Sequence, residues 1–278
     1  MCWPLGSEGE AVIPSKPAHV ASARLQLGAD TKRCVVDAEL KLGSTFSIAT
    51  WRQNLETIPV LWIKICATTN LGDARSALDA GANALGFILT ASPRQITPET
   101  AAAIIQALPP SVEKIGVVVN ESPEALAKLA GDLGLTGLQL HGDESAEQLP
   151  EFRRALGLRK LIKTLQAREL LADPARLDAY LRTHESIDGI LLDSGSPTAR
   201  GGTGQTFDWG AMLPVVERIK EVAPVVIAGG LTPENVAEAI RLFDPCGVDV
   251  VSGVEEAPGK KDPAKLRAFI EAARVVKH

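Results

Sequence analysis

Residues 224–253, PVVIAGGLTPENVAEAIRLFDPCGVDVVSG, contain the pattern that decides the fold. The apolar run PVVIAGG ends in glycines, the sequence Thr-Pro-Glu then opens a helical segment, and a second apolar run, GVDVVSG, completes the unit. Threonine before a proline at the first helical position is favourable N-cap chemistry. Two strands joined by a helix form a right-handed crossover, so this stretch predicts two parallel strands of one sheet.

The same unit recurs along the chain from residue 60 onward. Eight apolar runs alternate with helical segments: VLWIKIC, ALGFILT, KIGVVVN, GLQLH, KLIKTL, GILLD, PVVIAGG and GVDVVSG. Eight such units over about 220 residues are typical of a closed (β/α)8 TIM barrel, a fold of the α/β class. A doubly wound open sheet is the alternative, but no GxGxxG sequence follows the first strand.

The first 58 residues do not share this pattern. Their hydrophobic periodicity is weak, and glycines and prolines are scattered through them. We therefore expect an N-terminal extension at residues 1–58 that is poorly ordered, followed by the barrel domain at residues 59–278. A small appended element and a wrongly assigned start codon are the alternatives for this segment.

Composition restricts the class of function. The chain has 278 residues, of which 45% are hydrophobic and 4% aromatic, and its net charge is −5, so it offers neither a stacking platform nor a basic surface for nucleic acid. It has no apolar run of about 18 residues that could cross a membrane. Its four cysteines lack CxxC and Cys/His ligand spacing, so we expect no metal, no disulfide framework and a cytoplasmic location.

Two candidate catalytic residues end predicted strands. Active sites of such barrels lie at the C-terminal ends of the strands, where Cys66 ends the first run and Asp193 ends the sixth. A base and an acid on opposite walls suit an isomerisation by proton transfer. Each residue also has a plainer interpretation, because buried cysteines often only fill a core and aspartates at strand ends often only cap loops.

Other strand ends supply candidate substrate-binding residues. Two glycine-rich strand ends in succession favour a phosphate cradle of bare backbone N–H groups over simple chain turns. Arg94 has the planar fork that binds a carboxylate, although loop arginines are usually solvated. His141 has no accompanying nucleophilic serine or ligand cluster, so we interpret it as a cavity-lining or structural residue. The predicted substrate-binding set is Arg94, His141, Gly229, Gly230, Ser252 and Gly253.

A series of blocks from about Leu61 to the C-terminus resembles the phosphoribosylanthranilate isomerase family of tryptophan biosynthesis. The blocks occur in order: KIC, AGANALGFIL, SPRQITPE, IGVVVN, LQLHGDE, LLDS, GGTGQTFDW, AGGLTPENV and VDVVSGVEEAPGKKD. The family usually continues its cysteine with glycine, whereas Ala67 follows here, and a β-carbon at that position restricts the backbone.

The resemblance implies an Amadori rearrangement of N-(5-phosphoribosyl)anthranilate without a metal or organic cofactor. It implies Cys66 as general base, Asp193 as general acid and Arg94 as the group that binds the anthranilate carboxylate. The expected partner is the small phosphoribosyl substrate, with no nucleic acid or membrane, and the expected state is a monomer or homodimer.

Two other functions remain open at this point. The histidine-pathway aminoaldose isomerases perform similar chemistry on a barrel, but their two-aspartate arrangement would require an aspartate where Cys66 stands. A phosphosugar-binding or regulatory barrel without turnover is the non-enzymatic alternative, and it would bind phosphate without forming product.

The first strand also predicts a buried ion pair. Because side chains alternate along a strand, Lys64 lies on the same face as Cys66, one layer deeper in the barrel. Asp249 on the last strand should lie at similar depth once the barrel closes, so we predict a structural Lys64–Asp249 pair. We further expect the cavity to lower the pKa of the Cys66 thiol, since a base must be a thiolate near neutral pH.

Overall fold

The computed structural model describes residues 61–194 and 208–276, so the extension predicted at residues 1–58 lies outside the described residues. Eight parallel strands pair in chain order, and the last also pairs with the first, which closes the barrel. This confirms the predicted fold class. The strands are β1 (Trp62–Ile65), β2 (Ala84–Ile88), β3 (Glu113–Val118), β4 (Gly137–Leu140), β5 (Lys160–Gln166), β6 (Gly189–Asp193), β7 (Val225–Ile227) and β8 (Gly247–Val250).

Helices follow the strands and cover the outside of the barrel. The first three helices have side-chain N-caps, because Asn70, Thr97 and Ser122 each accept a hydrogen bond from a backbone N–H three residues later. No helix in residues 61–194 or 208–276 is long and apolar enough to cross a membrane. The helices are α1 (Leu71–Ala80), α2 (Pro98–Gln106), α3 (Pro123–Leu133), α4 (Leu149–Leu156), α5 (Ala167–Ala172), α6 (Ala175–Arg182), α7 (Trp209–Lys220), α8 (Val236–Phe243) and α9 (Pro263–Val275).

The predicted helix start at Thr232 is wrong by a few residues, because α8 begins only at Val236. The Asn235 side chain accepts a hydrogen bond from the Thr232 N–H at 2.8 Å and donates one to the Gly230 carbonyl at 3.0 Å. A side chain that bonds nearby backbone groups offers them an alternative to helical pairing. The glycine-rich end of β7 is thereby fixed in a turn.

The alternation of side chains in β1 produces the predicted ion pair inside the barrel. Trp62 packs deepest in a small apolar layer, and Lys64 lies above it, fully buried at 0% exposure. The β1–β8 register pairs Lys64 with Asp249, and the Lys64 ammonium donates to the Asp249 carboxylate at 2.7 Å. The prediction of a Lys64–Asp249 pair is therefore confirmed.

A short hairpin after β8 was not predicted. Its strands are β9 (Glu255–Ala257) and β10 (Lys260–Lys261), which pair antiparallel through a turn containing Gly259 at φ +80°. The Lys261 N–H donates to Asp73 at 2.8 Å, and the Thr69 hydroxyl donates to the Gly259 carbonyl. These contacts fix the hairpin against the first turn of α1 and the connection before it, which begins with Cys66.

Candidate active site

Cys66 lies at the C-terminal end of β1, in a position that a glycine on the neighbouring strand makes possible. Its N–H donates to the Val250 carbonyl at 3.0 Å, and the residue is buried at 3% exposure. A β-carbon on Gly86 would lie 2.5 Å from the Cys66 sulfur. Gly86 therefore provides the space that the thiol occupies.

The expectation that the site lowers the pKa of the Cys66 thiol is wrong for this structure. Burial raises the pKa of Cys66, because a thiolate loses its hydration there. Lys64 and Lys261 act in the opposite direction, whereas Asp249 adds to the increase. The net shift is upward, so burial outweighs the two lysines in the substrate-free site.

Ala67, where the family usually has glycine, adopts the left-handed backbone conformation at φ +60°. The residue is fully buried. A non-glycine residue in this conformation costs about 1–2 kcal/mol. The connection after Cys66 therefore keeps the conformation that suits glycine, at some cost in stability.

Asp193 ends β6 and lines a cleft at the C-terminal face of the barrel. The cleft encloses about 280 Å³, partly open to solvent, and its wall includes Gly229, Gly230, Ser252 and Asp249. Asp193 itself is 6% exposed. The structure thus brings the predicted acid together with three members of the predicted phosphate cradle.

The glycines of the cradle are required by close packing. Gly229 and Gly230 have φ values of +79° and +67°, and a β-carbon on Gly229 would lie 2.3 Å from the Ser194 nitrogen. A β-carbon on Gly253 would lie 1.9 Å from the Leu231 carbonyl oxygen. Gly253 packs the two loops together and does not line the cleft.

His141 lies beside Asp193. Its Nε2 atom is 3.9 Å from a carboxylate oxygen of Asp193, and its Nδ1 atom is 3.0 Å from the Gln139 amide nitrogen. Burial lowers the pKa of His141, although the Asp193 charge opposes this effect. The imidazole is therefore uncharged near neutral pH, and it can donate a hydrogen bond to a group in the cleft or accept one from it.

A buried network fixes the connection that follows His141. One Glu144 oxygen accepts from the Asn120 N–H at 2.8 Å, and the other accepts from the Gly142 N–H at 3.0 Å and the Lys163 ammonium at 2.7 Å. Asn120 and Gly142 follow the ends of β3 and β4, whereas Lys163 lies within β5. This network was not predicted from the sequence, because Asn120, Gly142 and Glu144 lie in loops, where no periodicity fixes the direction of a group.

Arg94 is held by a partner that the sequence analysis also missed. Its Nε and Nη2 atoms donate three hydrogen bonds to the Glu255 carboxylate at 2.7–2.9 Å. Both side chains are nearly buried, at 12% and 4% exposure. Burial opposes ionisation of Glu255, but Arg94 and Lys261 together hold its pKa below the usual value. The remaining guanidinium edge, at Nη1, is the part of Arg94 that another carboxylate could contact.

A closed parallel barrel with a thiol, a carboxylate and glycine-rich loops at its C-terminal face defines a (β/α)8-barrel enzyme. Among the residues that the structure describes, no group of three or more His, Cys, Asp or Glu side chains could hold a metal ion. The family model described as N-(5'phosphoribosyl)anthranilate (PRA) isomerase matches residues 63–272. The chain belongs to this family of isomerases.

Individual relatives agree with the family. The N-(5'-phosphoribosyl)anthranilate isomerase of Pelobacter propionicus is 46% identical over 213 residues, which are 76% of this chain and 95% of the relative. The phosphoribosyl anthranilate isomerase structure from Thermotoga maritima is 38% identical with a TM-score of 0.68, over 78% of this chain and 100% of that one. A further isomerase structure, in complex with reduced 1-(o-carboxyphenylamino)-1-deoxyribulose 5-phosphate, is 37% identical with a TM-score of 0.65, over the same shares.

Proposed function

We propose that the chain converts N-(5-phosphoribosyl)anthranilate to 1-(2-carboxyphenylamino)-1-deoxyribulose 5-phosphate by an Amadori rearrangement in tryptophan biosynthesis. The observation that carries the proposal is the cleft in which Asp193 lies beside the glycine loops after β7 and β8. A sugar phosphate held by those loops would present its ring to Asp193. The relative that binds a reduced form of this product supports the same substrate class.

The first proposed step opens the sugar ring. Asp193, protonated, donates its proton to the furanose ring oxygen, and the C–O bond breaks as the anthranilate nitrogen forms a Schiff base with the sugar. The ionised Asp193 then lies 3.9 Å from the neutral His141 imidazole. A hydrogen bond from His141 would stabilise the carboxylate at that point.

The second proposed step moves a proton from carbon. Cys66, as thiolate, removes the proton from the sugar carbon next to the Schiff base and leaves an enolamine, which tautomerises to the ketone. Since burial raises the pKa of Cys66, the thiolate depends on the cations around it. These proton transfers require only side chains, so the proposal includes no cofactor.

The remaining predicted residues bind the substrate in this proposal. Arg94 contacts the anthranilate carboxylate through its free edge, and the cradle around Gly229, Gly230 and Ser252 holds the phosphate. Gly253 supports the cradle by packing. We also propose a cytoplasmic location, which the reduced state of Cys66 and Cys246 supports because a reducing compartment preserves thiols.

A direct assay tests the proposed reaction. Phosphoribosylanthranilate is generated in situ, and the loss of its fluorescence is followed with and without the protein. We expect the protein to accelerate this loss and to form the carboxyphenylamino product. Phosphate binding without product at high protein concentration would contradict the proposal and favour a barrel that only binds phosphosugars.

Replacing Arg94 with alanine should mainly raise KM. A hydrogen-bonded ion pair with a carboxylate contributes about 1.5–3 kcal/mol, which corresponds to roughly a 10-fold to 100-fold increase in KM. The contact exists in the ground state and the transition state alike, so kcat should change little. Steady-state kinetics of Arg94→Ala and Arg94→Lys measure this, and a fall in kcat at unchanged KM would disprove the role.

Replacing Gly86 with alanine should displace the thiol. The new β-carbon would lie 2.5 Å from the Cys66 sulfur, so the variant should lose kcat and about 1–3 kcal/mol of stability. Gly116→Ala is the matched control, since its β-carbon would meet Leu135 at 2.8 Å on the outer side of β3. The control should lose stability but keep kcat. Equal kcat in both variants would show that thiol placement does not limit the reaction.

A further inference from the structure

Lys261 on β10 is a second buried lysine at the C-terminal face of the barrel, where Cys66 lies. Its side chain is 1% exposed, and its ammonium donates to the Val251 carbonyl at 3.3 Å. The preceding residue, Val250, accepts the hydrogen bond from the Cys66 N–H. The ammonium of Lys261 therefore binds the same end of β8 that holds Cys66 in place.

The charges around Cys66 do not balance. Lys64 has Asp249 at 2.7 Å, and this pair is neutral as a whole. Lys261 has Glu255 only at 3.4 Å, because Arg94 occupies the same carboxylate with three shorter hydrogen bonds. Two cations thus share one carboxylate, and one positive charge is left over. A buried charge without a close partner is costly, so this site favours a further anion.

We propose that Lys261 is a positioning residue that stabilises the thiolate of Cys66. This inference rests on the proposed role of Cys66 as the base. Lys261 does not contact the reacting atoms in this scheme. It acts through the thiol, and Glu255 and Arg94 determine how much of its charge is available.

The ionisation of both groups agrees with this arrangement. Burial lowers the pKa of Lys261 and raises that of Cys66. The charge of the thiolate acts to raise the pKa of Lys261, and the charge of the ammonium acts to lower the pKa of Cys66. Lys64 from β1 also favours the thiolate, whereas Asp249 from β8 disfavours it. Removing Lys261 leaves the thiolate with only Lys64, whose charge Asp249 already compensates.

The pH dependence of Cys66 alkylation tests the proposal without any assay of turnover. Iodoacetamide reacts with the thiolate, and peptide mass spectrometry separates Cys66 from the other cysteines. Lys261→Met should raise the midpoint pH by roughly one unit, with about 10-fold slower alkylation below the midpoint. Lys261→Arg should stay near the unmodified protein. Lys260→Met, at a neighbouring side chain that is 63% exposed, should change nothing.

An unchanged midpoint in folded Lys261→Met overturns the proposal. If circular dichroism shows that this variant does not fold, Glu255→Gln provides the test with the opposite sign. Glu255→Gln removes the carboxylate that competes with the Cys66 thiolate for Lys261, so the midpoint pH of Cys66 alkylation should fall. An unchanged midpoint in this variant overturns the proposal. Should Cys66→Ala retain full activity while Lys261→Met shifts the midpoint, the role of Cys66 as base fails but the stabilisation of its thiolate by Lys261 stands.

Discussion

Replacing Cys66 with alanine should lower kcat about 100-fold or more, with a much smaller change in KM. Loss of a general base typically costs about 10²–10⁴ in rate. The alanine side chain lacks only the sulfur, and the packing against Gly86 becomes looser, so substrate binding should persist. Asp193→Asn should produce a loss of similar size, because the amide cannot donate the proton that opens the ring.

Steady-state kinetics of the purified variants measure both effects. Cys246→Ala is the matched control, since Cys246 is also a buried cysteine outside any disulfide but precedes β8 at the opposite end of the barrel. The control should keep the activity of the unmodified protein. If Cys66→Ala turned over as fast as Cys246→Ala, Cys66 would be a core residue and another group in the site would have to act as base.

Replacing Asp249 with alanine should reduce the free energy of unfolding by about 3–5 kcal/mol near neutral pH. The change removes the 2.7 Å partner of an ammonium with 0% exposure and leaves an uncompensated charge in the barrel. Burial disfavours the charged form of Lys64 and acts to lower its pKa. Asp249 and Cys66 together outweigh this effect and raise the pKa above the usual value. The contribution of the pair is therefore fully present below the unfolded pKa of lysine and is lost as pH rises through the folded pKa.

Denaturant unfolding at constant m-value gives the stability of each variant. In Asp249→Ala, Lys64 loses its carboxylate partner, and burial, opposed only by Cys66, lowers its pKa. The stability defect should therefore shrink as the pH is raised toward the unfolded pKa. A double variant, Lys64→Met with Asp249→Leu, removes both charges and should recover much of the loss. If the single variant were as stable as the unmodified protein, the pair would have no structural role.

The barrel and the ion pair inside it could be predicted from the sequence. The periods of strands and helices are local properties, so eight apolar runs and their N-cap residues predicted the elements and their order. Lys64 and Asp249 are 185 residues apart, yet their contact was predictable. Strand alternation fixes the face and the depth of each side chain, and closure of a parallel barrel makes the first and last strands neighbours.

The groups that surround the Cys66 thiol and the Arg94 guanidinium could not be predicted and became evident only from the folded chain. Arg94, in a loop, and Glu255, at the start of the short strand β9, are 161 residues apart, and no sequence period predicts that they meet. The β9–β10 hairpin that brings Lys261 to Cys66 depends on contacts with the β1–α1 connection. The direction of the Cys66 pKa shift likewise follows from burial and from the sum of surrounding charges. These quantities depend on distances between remote segments, and a sequence pattern does not encode such distances.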